Sequence, residues 1–556
     1  MEEGTPKVLR ALFVMILVGS GSLCAQPTSG KAAKQPRAMD FPPTIVNGPS
    51  ISQNPNPLVP LAAVVRLETD EPTTVQLEID SGSHQWTVPP EEPSRRVHEI
   101  PVIGLRASKT YQVVVTVIDR QGNRVTAPEI LQYTSPDLPA DFPPLEIRKS
   151  VPAFMEPGQI AFAVTYGTDE GESGSWRIIL SAEGDVLWYH RDLTRGGNLE
   201  RLRNGNLLLA LGGRELIAEI DPLGNVVGSW ASNMFPGDKS GSVVVDTDTF
   251  HHEMLQLPEG RDADFLVLSS EARIYQNYPA DEVDTSITSP TAKVIGDVIV
   301  EYRRDGTIVR QTSLLDVFDP YRICYDALNG GYWDGFYTDD QYSHVHDWTH
   351  ANSVILDPRD GNYIVSMRHQ EAVAKIVPGA TSPDGVVWIL GPPGRWVEPW
   401  KSKLLRPTGP GLFAWQFHQH APEINATGNL VMFDNGNYRA VPPTVPLPPK
   451  DWYSRAVEYQ IDEQNLGIQQ VWAYGGRLDI PQNEFFAGFL GDADPMPITG
   501  NVLVTDGGKV SPAGRNYARI AEVSHTSPAV VVFEVIIRDR TETSDWLVYR
   551  AEKFGQ

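Results

Sequence analysis

Between residues 41 and 134 apolar and polar positions alternate in short runs. In Ala62-Ala63-Val64-Val65-Arg66-Leu67, Thr74-Val75-Gln76-Leu77-Glu78-Ile79 and Tyr111-Gln112-Val113-Val114-Val115-Thr116-Val117, successive side chains fall on opposite faces, and turn residues separate the runs. The pattern predicts a small antiparallel β-sandwich over residues 41–136. Residues 137–150, with Pro139, Pro143 and Pro144, read as a stiff linker.

Residues 151–556 carry a degenerate repeat. Gly205, Gly260, Gly361, Gly428 and Gly500 each stand in a turn just ahead of an apolar run. A second signature, a glycine followed by a β run ending near tryptophan, occurs at Gly184/Trp188, Gly224/Trp230, Gly385/Trp388 and Gly467/Trp472. Gly306-Thr307-Ile308-Val309 and residues 530–538 and 546–549 supply the remaining outer strands. Six outer strands at long, uneven spacing predict six four-stranded blades, hence an all-β chain with a six-bladed β-propeller behind the sandwich. No stretch keeps a 3.6-residue apolar period for more than a turn or two, which argues against an α/β fold. An excursion over residues 313–346, rich in Tyr, Trp and Asp, is expected to lie over one end of the propeller. In the first domain, the stretch from Leu105 to Tyr111 resembles the tyrosine corner of fibronectin type III and related immunoglobulin-like domains.

Composition narrows the partners. The 556 residues carry a formal net charge of -24, so nucleic acid and anionic membrane would be repelled. Lys7 and Arg10 precede an apolar run at residues 11–18 and then small residues around Cys24-Ala25, the order of a secretory signal. Residues 1–25 are therefore expected to direct export to the periplasm and 26–40 to form a flexible leader. Lipid anchoring at Cys24 is the alternative, although Gly21-Ser22-Leu23 is a poor lead-in. Past Cys24 the one cysteine is Cys324, so the mature chain cannot close an internal disulfide.

Register supplies the candidate chemistry. His252 lies eight residues before Gly260 and His420 eight before Gly428, while Asn352 lies nine before Gly361 in a turn one residue longer. These three residues therefore occupy equivalent positions on the innermost strands of three blades, which line the channel of a propeller. By alternation His350 and His418 share that face and His251 points away. Arg368, at the end of the strand after Gly361, can bring a fixed cation to the same mouth. A lone histidine on a strand is usually a satisfied polar residue; that reading weakens when several share one face with an amide and a guanidinium. A Zn or Ni site is the competing reading. Against it, no Asp or Glu is found at the channel-facing register positions, and Arg368 would repel a dication. His344 and His346 read as surface or lid residues and His369 as packing or as support behind the site.

At these residues the chain resembles the bacterial arylsulfate sulfotransferases that do not use a phosphoadenosine donor. The resemblance is carried by Phe250-His251-His252-Glu253-Met254, Asp347-Trp348-Thr349-His350-Ala351-Asn352-Ser353, Ser366-Met367-Arg368-His369-Gln370, Gln416-Phe417-His418-Gln419-His420-Ala421 and Phe433-Asp434-Asn435-Gly436-Asn437. It implies a small β-domain that helps pair two subunits, placed before a six-bladed propeller. It also implies transfer of a sulfuryl group from a phenolic sulfate ester to a phenol, with His420 as the transient carrier. His252, His350, Asn352 and Arg368 would surround the sulfuryl oxygens, with no cofactor and no metal. One of the two other histidines would handle the phenol's proton; the residues do not say which. This chain lacks the cysteines of a disulfide-closed loop that some members carry near the nucleophile.

Three rival functions fit these residues less well. A formylglycine sulfatase needs a Cys/Ser-x-Pro-x-Arg setting, and Cys324 sits instead in Arg322-Ile323-Cys324-Tyr325-Asp326. A metal-dependent propeller hydrolase needs carboxylates in the channel. A non-enzymatic binding module would have no need of aligned histidines.

Overall fold

The computed structural model describes residues 41–90, 93–192, 196–211, 213–476 and 485–555. The expected signal, leader and lipidation site at residues 1–40 lie outside these residues.

The alternating runs of the first domain form a seven-stranded antiparallel sheet system. Ala62–Leu67 and Thr74–Ile79, read above as two strands, belong to one continuous strand, Ala63–Asp80, that crosses between layers. Its first half pairs with Ile45–Gln53 and Arg95–Val102, its second half with Gln85–Val88 and Thr110–Asp119. Pro72 is carried at the crossover, where the pairing to Arg95–Val102 shifts register. Ala63, Val65, Leu67, Val75, Leu77, Ile79, Val113, Val115 and Val117 share one buried core, as period-two alternation requires. The tyrosine corner is present: the hydroxyl of Tyr111 accepts the Arg106 backbone N–H at 2.7 Å.

Six four- or five-stranded sheets follow among the described residues. The turn glycines sit between the first two strands of five of them, at φ between 71° and 87°. That left-handed backbone is open to glycine at little cost, which is why it recurs there. Trp188, Trp230, Trp388 and Trp472 lie buried on the fourth strands. Three of them reach across to the next sheet: Trp188 Nε1 donates to Pro222 O, Trp230 Nε1 to Arg304 O and Trp472 Nε1 to Thr526 O, at 2.9, 2.9 and 3.2 Å. Apolar layers fill the gap between each sheet and the next, and one of them joins the last sheet to the first. Sheets packed face to face around an axis in this way make a propeller.

Two terminal strands close the ring. Leu145–Ser150, inside the stretch read as a linker, is the outermost strand of the last sheet, paired to Val531–Ile537. Ser544–Phe554 pairs with Gln159–Thr168 as the end strand of the first sheet. Residues 546–549 were expected on an outer strand; they lie instead on this innermost one, and bring Tyr549 and Arg550 to the channel.

Candidate functional site

His251–Gln256, Ala351–Leu356 and His420–Ile424 are the end strands of three successive sheets and pack side by side. The three strands come together as expected, but the residues do not share one ladder position: His252 and Asn352 fall in bulges, whereas His420 pairs with Phe433. Each strand carries a bulge where the histidines sit: the ladder shifts between His251 and Met254, between Ala351 and Ser353, and between His420 and Glu423. His252, His350, His418 and Ala421 have φ of 55°, 44°, 53° and 48°. Left-handed backbone at non-glycine residues is costly and re-aims side chains, so facing cannot be counted by twos here.

The bulges divide the histidines. The His252 ring lies 5.0 Å from that of His350, with the Tyr332 ring 5.1 and 4.7 Å from the two. His350 stacks on His369 at 4.6 Å, and Tyr549 stands 5.7 Å from His252 and 6.5 Å from His420. His418, expected on the channel face, is instead fully buried in an ion-pair pocket. Its Nδ1 is 2.7 Å from Glu371 Oε1 and its Nε2 3.1 Å from Asp326 Oδ2. His251, expected to point away, is buried against the cluster, its Nε2 3.3 Å from Asp297 Oδ1 and its Nδ1 2.8 Å from His252 Nδ1.

Burial sets the charge states. It drives the pKa of His252, His350, His369 and His420 well below the ordinary histidine value; Arg368 adds to this at His350 and His420, and His350 at His252. In the site without substrate, desolvation favours the neutral ring at these four. His418 is the exception. Burial pulls its pKa down, but Glu371 and Asp326 outweigh it and hold the pKa above the ordinary value.

The guanidinium is tightly held. Arg368 Nη1 bonds His369 Nε2 at 2.7 Å, Nη2 donates to Gly488 O at 3.2 Å, and Asp326 Oδ2 lies 3.8 Å away. Since His369 Nδ1 donates to the Asp347 carbonyl at 2.6 Å, its Nε2 must be the acceptor for Arg368. His369 is thus the residue that aims Arg368, the supporting role that was one of its two expected readings. Asn352 donates from Nδ2 to Gln419 O at 2.7 Å, while its own carbonyl accepts the Tyr549 hydroxyl at 2.6 Å. His420 Nδ1 lies 2.7 Å from Asn435 Oδ1.

A cavity of about 220 Å³ opens beside the cluster, lined by Phe250, His252, Met254, Tyr332, Leu547 and Tyr549 among others. Arg214 also lines it, its Cζ 3.6 Å from the centre of the Tyr332 ring. Tyr332 comes from the aromatic excursion and Tyr549 from the closing strand, so neither carried a register signal. Asn435 could have been found by its place in the quoted Phe433–Asn437 stretch; Arg214 had no signal.

The channel also contradicts one reading outright. Farther along the inner strands, a second cavity of about 410 Å³ is lined by Glu200, Glu253, Glu423, Asp494 and Glu552, with Arg550 bonded to Glu253 at 2.9 Å. Carboxylates do face the channel: Glu253 and Glu423 at the bulges of the histidine strands, and Glu200, Asp494 and Glu552 on the other inner strands. Nearer the histidines, Asp347 accepts from His350 Nδ1 at 2.5 Å. Asp347, His350 and His369 have ligand atoms close enough to hold a metal ion. The Nδ1 atoms of both rings are hydrogen-bonded to Asp347, and His369 Nε2 to Arg368, which favours a hydrogen-bonded network over a ligand set.

Fold and site together define a β-propeller with buried imidazoles and the Arg368 guanidinium gathered at its channel. A sequence model of the arylsulfotransferase family matches residues 156–550, and one of the arylsulfotransferase Ig-like domain matches residues 50–135. The chain belongs to the arylsulfotransferase family. It is similar to the arylsulfate sulfotransferase AssT of Escherichia coli O6:H1 (28% identity over 339 residues, 54% of this chain and 52% of that protein). It is also similar to AssT of Lelliottia amnigena (30% over 215 residues, 33% of this chain and 35% of that one). The chain thus spans about half the length, or less, of the curated relatives it matches. Among solved structures, virginiamycin B lyase from Staphylococcus aureus aligns over 72% of this chain and 89% of its own, at 10% identity and a TM-score of 0.25, too distant to inform the site.

Proposed function

We propose that this protein transfers a sulfuryl group from a phenolic sulfate ester to a phenolic acceptor in two steps, through a sulfohistidine at His420. The observation that carries the reading is a buried, neutral His420 beside the fixed cation Arg368, one aromatic ring away from a cavity sized and lined for a phenol. A neutral imidazole is a good nucleophile and a good leaving group, so one atom can serve donor and acceptor in turn. In the first step the imidazole forms an N–S bond as the S–O bond to the phenol breaks, and the bonding pair leaves on the phenolate oxygen. Arg368, the second amide N–H of Asn352 and Arg214 are positioned to meet negative charge on the sulfuryl and phenolate oxygens. In the second step an acceptor phenol loses its proton and takes the sulfuryl group from the ring.

The proton fits His350. Its Nδ1–H bonds to the buried Asp347, which keeps Nε2 available. The empty site holds His350 neutral; a bound sulfate ester adds an anion that raises its pKa, so that it can protonate the leaving oxygen and recover a proton from the acceptor. His252, between the Tyr332 and Tyr549 rings, is then a donor to the ester. Export to the periplasm, and pairing of two subunits through residues 41–136, belong to the same proposal and rest on the N-terminal sequence pattern and on the family plan.

The test is a single turnover. With an aryl sulfate and no acceptor, the protein should release phenol in an amount equal to the enzyme, then stall. One sulfuryl group should appear on a peptide containing His420 and disappear when phenol is added. His420→Ala should lose both burst and adduct. An adduct that survives in that variant would move the nucleophile elsewhere, to His252 first.

A further inference from the structure

We infer that Asn435 is a positioning residue that holds His420 in the one tautomer able to attack, through a lock built from the backbone of residues 485–491. The inference rests on the reading of His420 as nucleophile. Asn435 is fully buried, just past the Leu430–Asp434 strand whose Phe433 pairs with His420. Its Nδ2 donates to Ala487 O at 2.8 Å and to Leu490 O at 2.7 Å. Carbonyl oxygens only accept, so these two bonds fix which end of the amide is which. The end facing His420 Nδ1 is Oδ1, at 2.7 Å, and an amide oxygen also only accepts. The ring proton must therefore sit on Nδ1, and Nε2 keeps its lone pair.

The lock is itself held. Ser454 Oγ donates to Asn435 O at 2.7 Å and accepts the Ala487 N–H at 2.9 Å, tying the two backbones together. Gly488, between the two carbonyls that orient Asn435, supplies the carbonyl that holds Arg368. One short backbone segment thus orients both the nucleophile and the cation it works beside.

The chemistry gives the amide more than a structural part. When Nε2 bonds to sulfur the imidazole becomes cationic, and the Nδ1–H to Oδ1 bond changes from a neutral to a charge-assisted one. A contact that strengthens as the reaction proceeds lowers the barrier rather than tightening donor binding. Replacing the acceptor by an apolar group of similar size should therefore slow capture of the sulfuryl group roughly ten- to a hundredfold, the range of a hydrogen bond to a charged group.

Two measurements test this. In rapid mixing with para-nitrophenyl sulfate, Asn435→Leu should show a burst rate constant lower by about that factor, with the donor concentration for half-maximal burst rate unchanged. Histidine side-chain nitrogen NMR, with the His420 signals assigned by their loss in His420→Ala, should show Nδ1 protonated and Nε2 bare in the wild type, and a mixture in Asn435→Leu. An unchanged burst constant, or a loss confined to donor half-saturation, would overturn the inference. So would a wild-type His420 protonated on Nε2, a result that holds even if the variant fails to fold. A wild type with no burst and no adduct would instead sink the nucleophile reading, which keeps the two failures apart.

Discussion

Arg368 shows how far a single residue can be read. A cation near the histidines was legible in the Ser366–Gln370 stretch, and the structure puts it where neutral His369 and Gly488 O fix its plane. That fixed plane is what a lysine cannot reproduce: a guanidinium meets two oxygens in set geometry, whereas an ammonium is a mobile point charge. Arg368→Lys should therefore lose roughly a hundred- to a thousandfold in turnover although charge is kept, the range seen when one oxyanion donor is removed. Steady-state kinetics with aryl sulfate and phenol would check it, and near-wild-type turnover would take Arg368 out of contact with the sulfuryl group. His418 was misread at this same scale. Two residues from His420, it looked like a neighbour on one face, but its positive φ turns it onto Glu371 and Asp326, residues far away in the chain.

That pairing makes His418 a joint between elements: it links the His420 strand to the turn after Met367 and, through Asp326, to the aromatic excursion. Removing one partner of a buried ion pair leaves the other charge uncompensated, so His418→Ala should cost about 3–5 kcal/mol of stability. The sign with pH follows from the raised folded pKa. Protonated His418 contributes stability fully below the unfolded histidine value of about 6.5 and loses it as pH rises through the higher folded pKa. Denaturation of wild type and variant across that interval should therefore show the gap narrowing as pH increases; a gap that widens would mean that His418 is neutral. At the same scale, the strand 544–554 explains a failure of pattern reading. Its apolar alternation is that of any strand in the repeat, and only pairing with Gln159–Thr168 makes it innermost and brings Tyr549 to the cavity. The bulges are likewise invisible to a period-two count, because they insert residues without changing composition.

For the molecule as a whole, the metal question turns on donor chemistry rather than on charge count. Carboxylates are plentiful in the channel, yet the Nδ1 atoms of His350 and His369 are hydrogen-bonded to Asp347 and Arg368 faces the same space. Exhaustive dialysis against EDTA should leave sulfuryl transfer intact. Loss of activity restored by one divalent ion would favour the Asp347, His350 and His369 metal reading instead. The sequence by itself determined what depends on near neighbours: the period-two strands, the left-handed turn glycines, the tryptophan-bearing fourth strands, and the placing of His252, Asn352 and His420 on the first strands of three sheets. These follow from backbone sterics and side-chain alternation, which act over a few residues. Only the tertiary structure decided which histidine faces the cavity, which is locked between carboxylates, what orients Asn435 and Arg368, and that Tyr332 and Tyr549 meet there. Those outcomes depend on hydrogen bonds and desolvation between residues tens to hundreds of positions apart, brought together when the first and last strands close one ring.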